Sequence, residues 1–455
     1  MREDFNDKCV IVAGAGKSGI SSARLLLRAG AEVVLYDGNT NVDTKALLQN
    51  FSAEDSISIE LGKLSEQSFS RATLFVISPG IPADADFVCE VKQHGISIWG
   101  EIELGYYFCR GKIAAITGTN GKTTTTTLVG EILKAYSDNT YVVGNIGFPF
   151  TDYADKTDDE SLIAAEVSSF QLETIHSFRP HVSAVLNLTP DHLNRHYTFD
   201  NYVNAKLRVA ENQTMDDYLV INMDDPETVS RCEHITNTNK VYFSKTEAVD
   251  CGGYVRNGHI YVRRDGTEYS ICPVSDIKIL GKHNLENVLA AATIAIYMDI
   301  PAEIIGETIR GFMGVEHRIE YVRTLNGVNY YNDSKGTNPD AAIKAVEAMN
   351  TPTILIGGGY DKKSTYDEWI ESFGDKIKAL VLIGETAGDI RRCCDKHGYT
   401  AVYDAGSLKE AVELCHDMAR DGYTVLLSPA CASWDMFKSY EERGHLFKEY
   451  VNELN

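Results

Sequence analysis

Ten short apolar runs recur along the chain: "CVIVAG", "EVVLYD", "TLFVIS", "IAAITG", "SLIAAEV", "VSAVLNL", "YLVIN", "TILIGG", "ALVLIG" and "TVLLSP". Stretches with helical spacing, such as "SGISSARLLLRAG" and "NLENVLAAATIAIYM", separate them. Apolar runs of this length suit strands buried on both faces, and helices that return the chain between parallel strands supply the cover. The alternation therefore predicts an α/β protein built on parallel sheets. One stretch near 240–275 breaks the rhythm. "KVYFSK" and "GYVRNGHIYVRRDGTEYSI" contain N-G and D-G turns and read as hairpins inserted in the middle of the chain.

At 455 residues the chain exceeds what one core supports, so two or three domains are expected. Strand-to-helix glycine loops at 14–19 and 118–121 mark two nucleotide-type domains, bridged by "SIWGEIELGYYF". A third run of strand and helix alternation begins after "GVEHRIEYV". The expected division is 1–97, 98–314 and 315–455: an N-terminal Rossmann-like domain, a central P-loop-type ATPase sheet with inserted hairpins, and a C-terminal Rossmann-like domain. A net charge of -22 and a pI near 5.0 argue against nucleic acid or an anionic membrane as partner. An anionic substrate must then be held by a few local Lys, Arg and backbone N–H groups. The polar start "MREDFNDKCV" carries no signal peptide, and no apolar run approaches the ~18 residues of a membrane span. Ten scattered cysteines without a C-x-x-C read as reduced, buried thiols of a cytoplasmic protein that does not insert in membranes.

In "VAGAGKSG", Gly14, Gly16 and Gly19 fit G-x-G-x-x-G, with Lys17 and Ser18 inside it and Asp37 ending the next strand. The loop suits a pyrophosphate at a helix N-terminus, whether of NAD or of a UDP-sugar, or else it is a tight structural turn. "SPGIP", after the third run, reads as a turn. The second loop, "TGTNGKTT", is the stronger signal. Gly118 and Gly121 permit close backbone approach, Lys122 supplies a charge for β/γ-phosphates, and Thr123 a hydroxyl for Mg²⁺. The common phosphate loop has a glycine six residues before its lysine; Ile116 stands there. The threonines 125–127 read as the helix simply continuing.

A carboxylate on a neighbouring strand is then required. Glu166 ends an apolar run, either for a metal or in a buried salt bridge. Asp191, His192 and His196 follow on a loop. On the helix "FDNYVNAKLRVAEN", Lys206 falls on the stripe of Phe199, Tyr202, Val203 and Ala210. It either snorkels to solvent or is a buried amine with a partner or a modification. Asn284 and Asn287 lie one helical turn apart and face one ligand, unless Asn284 is an N-cap. Farther on, Arg318 precedes three polar loops at strand ends. These hold Asp333, Ser334, Lys335 and Thr337; then Gly357 to Gly359, Asp361 and Lys363; then "SPACASWDMFKSYEERG". Ligands of parallel sheets sit at the C-terminal strand ends, so the three loops read as one site.

Together "TGTNGKTT", "EVSSFQLE", "NLTPDHLNRH", "YVNAKLRVAEN" and "GKHNLENVLAA", in this order, resemble the Mur ligase family of ATP-dependent amino-acid ligases over essentially the whole chain. "SPGIP", "NDSKGTNPDAA" and "LLSPACASWDMF" point within it to addition of D-glutamate to UDP-N-acetylmuramoyl-L-alanine in peptidoglycan precursor synthesis. The resemblance implies ATP on Gly118, Thr119, Asn120, Gly121, Lys122, Thr123 and Thr124, with Asn287 at the adenine and Arg318 and Asp333 from the third domain. It implies one or two Mg²⁺ at Thr123, Glu166, His192 and a carbamylated Lys206, and Lys122, Glu166, His192 and Lys206 as the catalytic set. Uracil diphosphate is expected at Gly14, Gly16, Lys17, Ser18, Gly19 and Asp37, and the muramoyl part at Asn145, Ser168, Ser169 and Gln171. D-Glutamate is expected at Lys335, Thr337, Lys363, Ser433 and Tyr440. The implied enzyme is a cytoplasmic monomer. Its rivals, an NAD-dependent oxidoreductase and a nucleotide switch, leave the third set of loops without a purpose.

Overall fold

The first sheet shows why the apolar runs do not alternate. In the computed structural model, which describes residues 5–361 and 364–455, it contains β1 (Cys9–Ala13), β2 (Glu32–Asp37), β3 (Ile57–Leu61), β4 (Ala72–Ile77) and β5 (Ser97–Gly100). Their order is β3-β2-β1-β4-β5, all parallel. Every residue of β1 is buried, and its side chains go alternately to two cores. Val10 and Val12 join one cluster, Cys9, Ile11 and Ala13 the other. The strand order reverses beside β1, so the loops after β1 and β4 border the crevice where such sheets bind ligands.

The second sheet holds β6 (Lys112–Thr117), β7 (Thr140–Gly144), β8 (Leu162–Glu166), β9 (Val182–Val185), β10 (Tyr218–Asn222), β11 (Asn239–Ser244), β12 (Gly252–Arg256), β13 (His259–Arg264) and β14 (Thr267–Pro273). The order is β14-β13-β12-β11-β10-β9-β6-β8-β7. The expected hairpins exist, with Asn257 and Asp265 at φ 52 in the two turns. They lengthen the edge of this same sheet, because β12 pairs in parallel with β11. The first two sheets share a core, and polar contacts tie them: Glu101 is buried and accepts from Thr151 N at 2.9 Å, while Ser21 Oγ meets Thr151 Oγ1 at 2.6 Å.

The third sheet comprises β15 (Glu320–Leu325), β16 (Val328–Asn332), β17 (Thr353–Gly357), β18 (Ile377–Leu382), β19 (Val402–Asp404) and β20 (Thr424–Leu427), ordered β15-β16-β20-β17-β18-β19. Only the β15 edge is antiparallel. The chain folds as two compact units. One runs to Val274 and again over Glu286–Ile309, and holds the first two sheets. The other, Ser275–Leu285 with Arg310–Asn455, holds the third. Among the described residues no helix is long and apolar enough to cross a membrane. The described cysteines are mostly buried, with Cys251 exposed against expectation on its hairpin approach.

Candidate active site

β6 runs unbroken through Ile116, which pairs with Glu166 of β8 and Ala184 of β9 and is fully buried. The position that carries a glycine in the common phosphate loop is here strand, and the loop shrinks to the residues after Thr117. At Gly121, φ is 83° and a Cβ would lie 2.2 Å from Asn287 Oδ1, so both backbone and space demand glycine. Asn187 braces the loop. Its carbonyl accepts from Thr119 N at 2.9 Å, its Oδ1 from Asn120 N at 2.8 Å, and its Nδ2 donates to Asn120 O at 3.1 Å. Lys122 opens the helix Lys122–Tyr136, and its Nζ donates back to Gly118 O (2.9 Å) and Thr119 O (2.8 Å). Thr123 is half-buried, whereas Thr125 and Thr126 enter the core, which bears out their reading as plain helix. Thr125 Oγ1 donates to Asn287 Oδ1 at 3.4 Å, so Asn287 lies against the start of that helix. A helix N-terminus, free-turning glycines and an ammonium group make a phosphate cradle.

Lys206 does not snorkel. It is 2% exposed, donates to Gly118 O at 2.7 Å, and lies 4.7 Å from the centre of the Tyr202 ring. Tyr202 in turn donates its hydroxyl to Thr119 Oγ1 at 3.0 Å. Burial, reinforced by the charge of Lys122, pushes the Lys206 amine from 10.5 down to about 7, against the pull of Asp191 and Glu166. Glu166 makes no salt bridge among the described residues. It is 1% exposed; Oε1 accepts from Asn145 Nδ2 at 2.7 Å, and Oε2 is buried with no hydrogen-bond partner among the described residues. A buried carboxylate oxygen without a donor is costly, and a hard cation is the partner it suits. The oxygen donors Glu166 and Thr123 therefore fit Mg²⁺. His192, at φ 51°, is exposed, with its ring 4.9 Å from Phe170 and 6.5 Å from Tyr202. His196 is the buried histidine of that loop, with Nε2 2.9 Å from Ser169 Oγ. Asn284 is not an N-cap: the helix begins at Lys282, so Asn284 lies inside its first turn, and its amide donates to the carbonyl of Leu280.

In the first sheet, a Cβ on Gly19 would lie 1.7 Å from Gly14 O, so helix and strand meet there only through glycine. The Asp37 carboxylate braces this loop, accepting from Ala15 N and Asn39 N, both at 2.8 Å. Gly16 caps the helix Lys17–Arg28, with Lys17 exposed and Ser18 half-buried. "SPGIP" is a turn, closed by Ile81 N to Ser78 O at 3.0 Å. It also lays the buried Ser78 hydroxyl, which has no hydrogen-bond partner among the described residues, against Gly14. Ser168 and Gln171 form the capping box of the short helix Ser169–Leu172.

In the third sheet the three polar loops follow β16, β20 and β17, which are neighbours. Asp333 is buried and accepts from Ser428 Oγ (2.7 Å) and Ile319 N (3.2 Å); burial raises it to about 7. Arg318 is exposed and Thr337 half-buried. Lys335 Nζ is 5.7 Å from the Tyr440 ring centre, and Ser433 is buried. Lys363 lies outside the described residues. Sequence reasoning missed Arg443, the one fully buried arginine among the described residues. The signal was available: Arg443, Phe447 and Val451 recur every four residues on one buried face of the helix Tyr440–Glu453.

A glycine loop of pyrophosphate type, a phosphate cradle beside an unsatisfied carboxylate, and polar strand ends on a further sheet define a multidomain nucleotide-dependent enzyme. The chain belongs to the Mur ligase family. Residues 8–100 match the Mur ligase MurD-like N-terminal domain, 116–295 the Mur ligase middle domain, and 317–431 the Mur ligase glutamate ligase domain. The UDP-N-acetylmuramoylalanine--D-glutamate ligase of Lachnoclostridium phytofermentans is 51% identical over 451 residues, 99% of either chain. The protein of that name from Lachnospira eligens is 50% identical over 455 residues, 99% of this chain and 100% of its own. The crystal structure of MurF from Acinetobacter baumannii shares the fold, with a TM-score of 0.60 at 15% identity over 98% of this chain and 93% of its own.

Proposed function

We propose that the protein joins D-glutamate to UDP-N-acetylmuramoyl-L-alanine in an ATP-driven reaction. The observation that carries the chemistry is the buried pair Glu166 and Lys206 against the phosphate loop. The relatives, half identical from end to end, supply the substrates by their names.

A carboxylate is a poor electrophile at neutral pH, so the γ-phosphoryl group of ATP first passes to the substrate's terminal carboxylate. The amine of D-glutamate attacks the acyl phosphate, and phosphate leaves. Phosphoryl transfer requires positioning and charge neutralisation, which the loop Gly118 to Thr124 and the Lys122 ammonium provide. Asn287, Arg318 and Asp333 complete the nucleotide contacts in this proposal. Mg²⁺ would be held by Thr123, Glu166, His192 and carbamylated Lys206, and when bound would neutralise phosphate charge. Carbamate formation joins CO₂ to a neutral amine with loss of one proton. An amine at about 7 is half neutral at physiological pH, which supports that modification.

The UDP moiety is assigned to Gly14, Gly16, Lys17, Ser18, Gly19 and Asp37, the muramoyl part to Asn145, Ser168, Ser169 and Gln171, and D-glutamate to Lys335, Thr337, Lys363, Ser433 and Tyr440. Segments 1–97, 98–314 and 315–455 are the corresponding domains, in a cytoplasmic monomer. A phosphate-release assay with ATP, UDP-N-acetylmuramoyl-L-alanine and a panel of L- and D-amino acids tests this. Release that depends on D-glutamate is expected; release driven equally by another amino acid, or by none, refutes it.

A further inference from the structure

Arg443 has the least expected surroundings of any charged residue outside the phosphate loop. It is 0% exposed and ion-paired with no carboxylate among the described residues. Among the described residues all its hydrogen bonds go to neutral oxygens. Nε donates to Ser334 Oγ at 3.0 Å, and one terminal nitrogen to Ala432 O at 3.2 Å. The other terminal nitrogen donates to Ser334 O (2.9 Å) and Cys431 O (3.2 Å). A Cβ on Gly359 would lie 3.3 Å from the guanidinium. The group thus touches the loop after β16, the loop after β20 and the loop after β17, which end three adjacent strands.

Backbone bonds already join these loops: Asp333 N to Leu427 O (2.7 Å), Gly358 N to Pro429 O (2.8 Å) and Tyr360 N to Ala432 O (2.9 Å). An always-charged group adds to that stitching something a neutral one would not. Its rigid planar fork sets the angle between loops, and its charge, which meets Asp435 and Asp333 only at longer range, is paired with no carboxylate at contact distance among the described residues. Ser334 extends the link, since its Oγ donates to the carbonyl of Tyr440 at 2.8 Å.

We infer that Arg443 is the positioning residue of the amino-acid site: one buried guanidinium fixes the loops of Lys335, Thr337 and Ser433 relative to one another and lends positive potential to a dicarboxylate substrate. This rests on the reading that the amino acid binds at these loops. The helix bearing Arg443 also opens with Tyr440, so the same tie sets where that ring stands.

The test compares Arg443→Lys, Arg443→Gln and Ser334→Ala in the full chain, measuring KM for D-glutamate, for the UDP substrate and for ATP, with thermal unfolding alongside. Losing hydrogen bonds to a buried charge is expected to raise KM for D-glutamate about 10- to 100-fold in both arginine variants, with the other two KM values within about threefold. Ser334→Ala keeps the charge but deletes the Nε acceptor, and is expected to raise KM for D-glutamate about 3- to 10-fold. Methylguanidine added to Arg443→Ala should lower KM for D-glutamate again. An equal rise in all three KM values, or an unchanged KM for D-glutamate, overturns the inference. Where the arginine variants fail to fold, Ser334→Ala decides alone. Failure of the ligation reading shows separately, as wild-type protein indifferent to D-glutamate; the same comparison then runs with the amino acid that the panel selects.

Discussion

Replacing Lys206 with methionine keeps the bulk of a buried side chain and removes its proton. Holding the amine at about 7 instead of 10.5 disfavours the charged form by about 5 kcal/mol. The sign follows from proton counts. The unfolded chain keeps the lysine proton up to 10.5, whereas the folded protein releases it above about 7. Below about 7 both states are protonated and the full penalty is present. Between these values the unfolded state binds more protons, so folding stability rises with pH by up to about 1.4 kcal/mol per unit. Lys206→Met lacks this slope. Urea unfolding of both proteins in CO₂-free buffer at pH 6 and at pH 9.5 should show the variant's advantage shrinking by about 3 kcal/mol. A gap that stays constant with pH refutes a neutralised amine, and with it the basis for carbamylation. Lys206→Ala, which leaves room for a small carboxylate, should bind the UDP substrate and fail to ligate, with partial rescue by short-chain carboxylic acids. Wild-type turnover without rescue would end the carbamate role.

Lys122→Ala should cut kcat about 10³-fold with UDP-substrate binding intact by calorimetry; a normal turnover number would refute the phosphate-loop assignment. Since the Lys122 charge helps depress Lys206, this variant should also move the midpoint of the Lys206-dependent stability slope to higher pH. Glu166→Gln removes the anionic oxygen that lacks a donor, and the Mg²⁺ concentration for half-maximal activity should rise at least about tenfold; an unchanged Mg²⁺ titration would sink the metal role. Gly19→Ala forces a methyl group against Gly14 O and should destabilise the protein by about 2–4 kcal/mol, read by urea unfolding; an unaffected midpoint would mean the helix can shift away.

Much of the site is local and was therefore legible. The phosphate loop, Glu166 at the end of β8 and the stripe position of Lys206 all follow from apolar period and spacing. Strands that form sheet edges were harder: β3 and β19 are partly exposed, and their short runs carry little apolar signal. β7, also at an edge, was missed for the same reason. Asp37 was read as a ligand group, and its structural part was not legible: one oxygen holds the glycine loop through Ala15 N, and the other turns its own strand end through Asn39 N. Arg443 hid in a charged stretch, "SYEERG", that reads as solvated until its spacing from Phe447 and Val451 is counted.

The amino-acid order by itself determined where strands and helices alternate, where glycine turns one into the other, and which polar residues stand at strand ends, because each depends on neighbours a few positions away. Tertiary structure alone decided which charges lie together and which lack partners. Lys206 meets Gly118 across 88 residues, and Arg443 meets Ser334 across 109. The state of a buried amine or carboxylate depends on the solvent it has lost and the charges brought beside it, and both arrive only when distant segments pack.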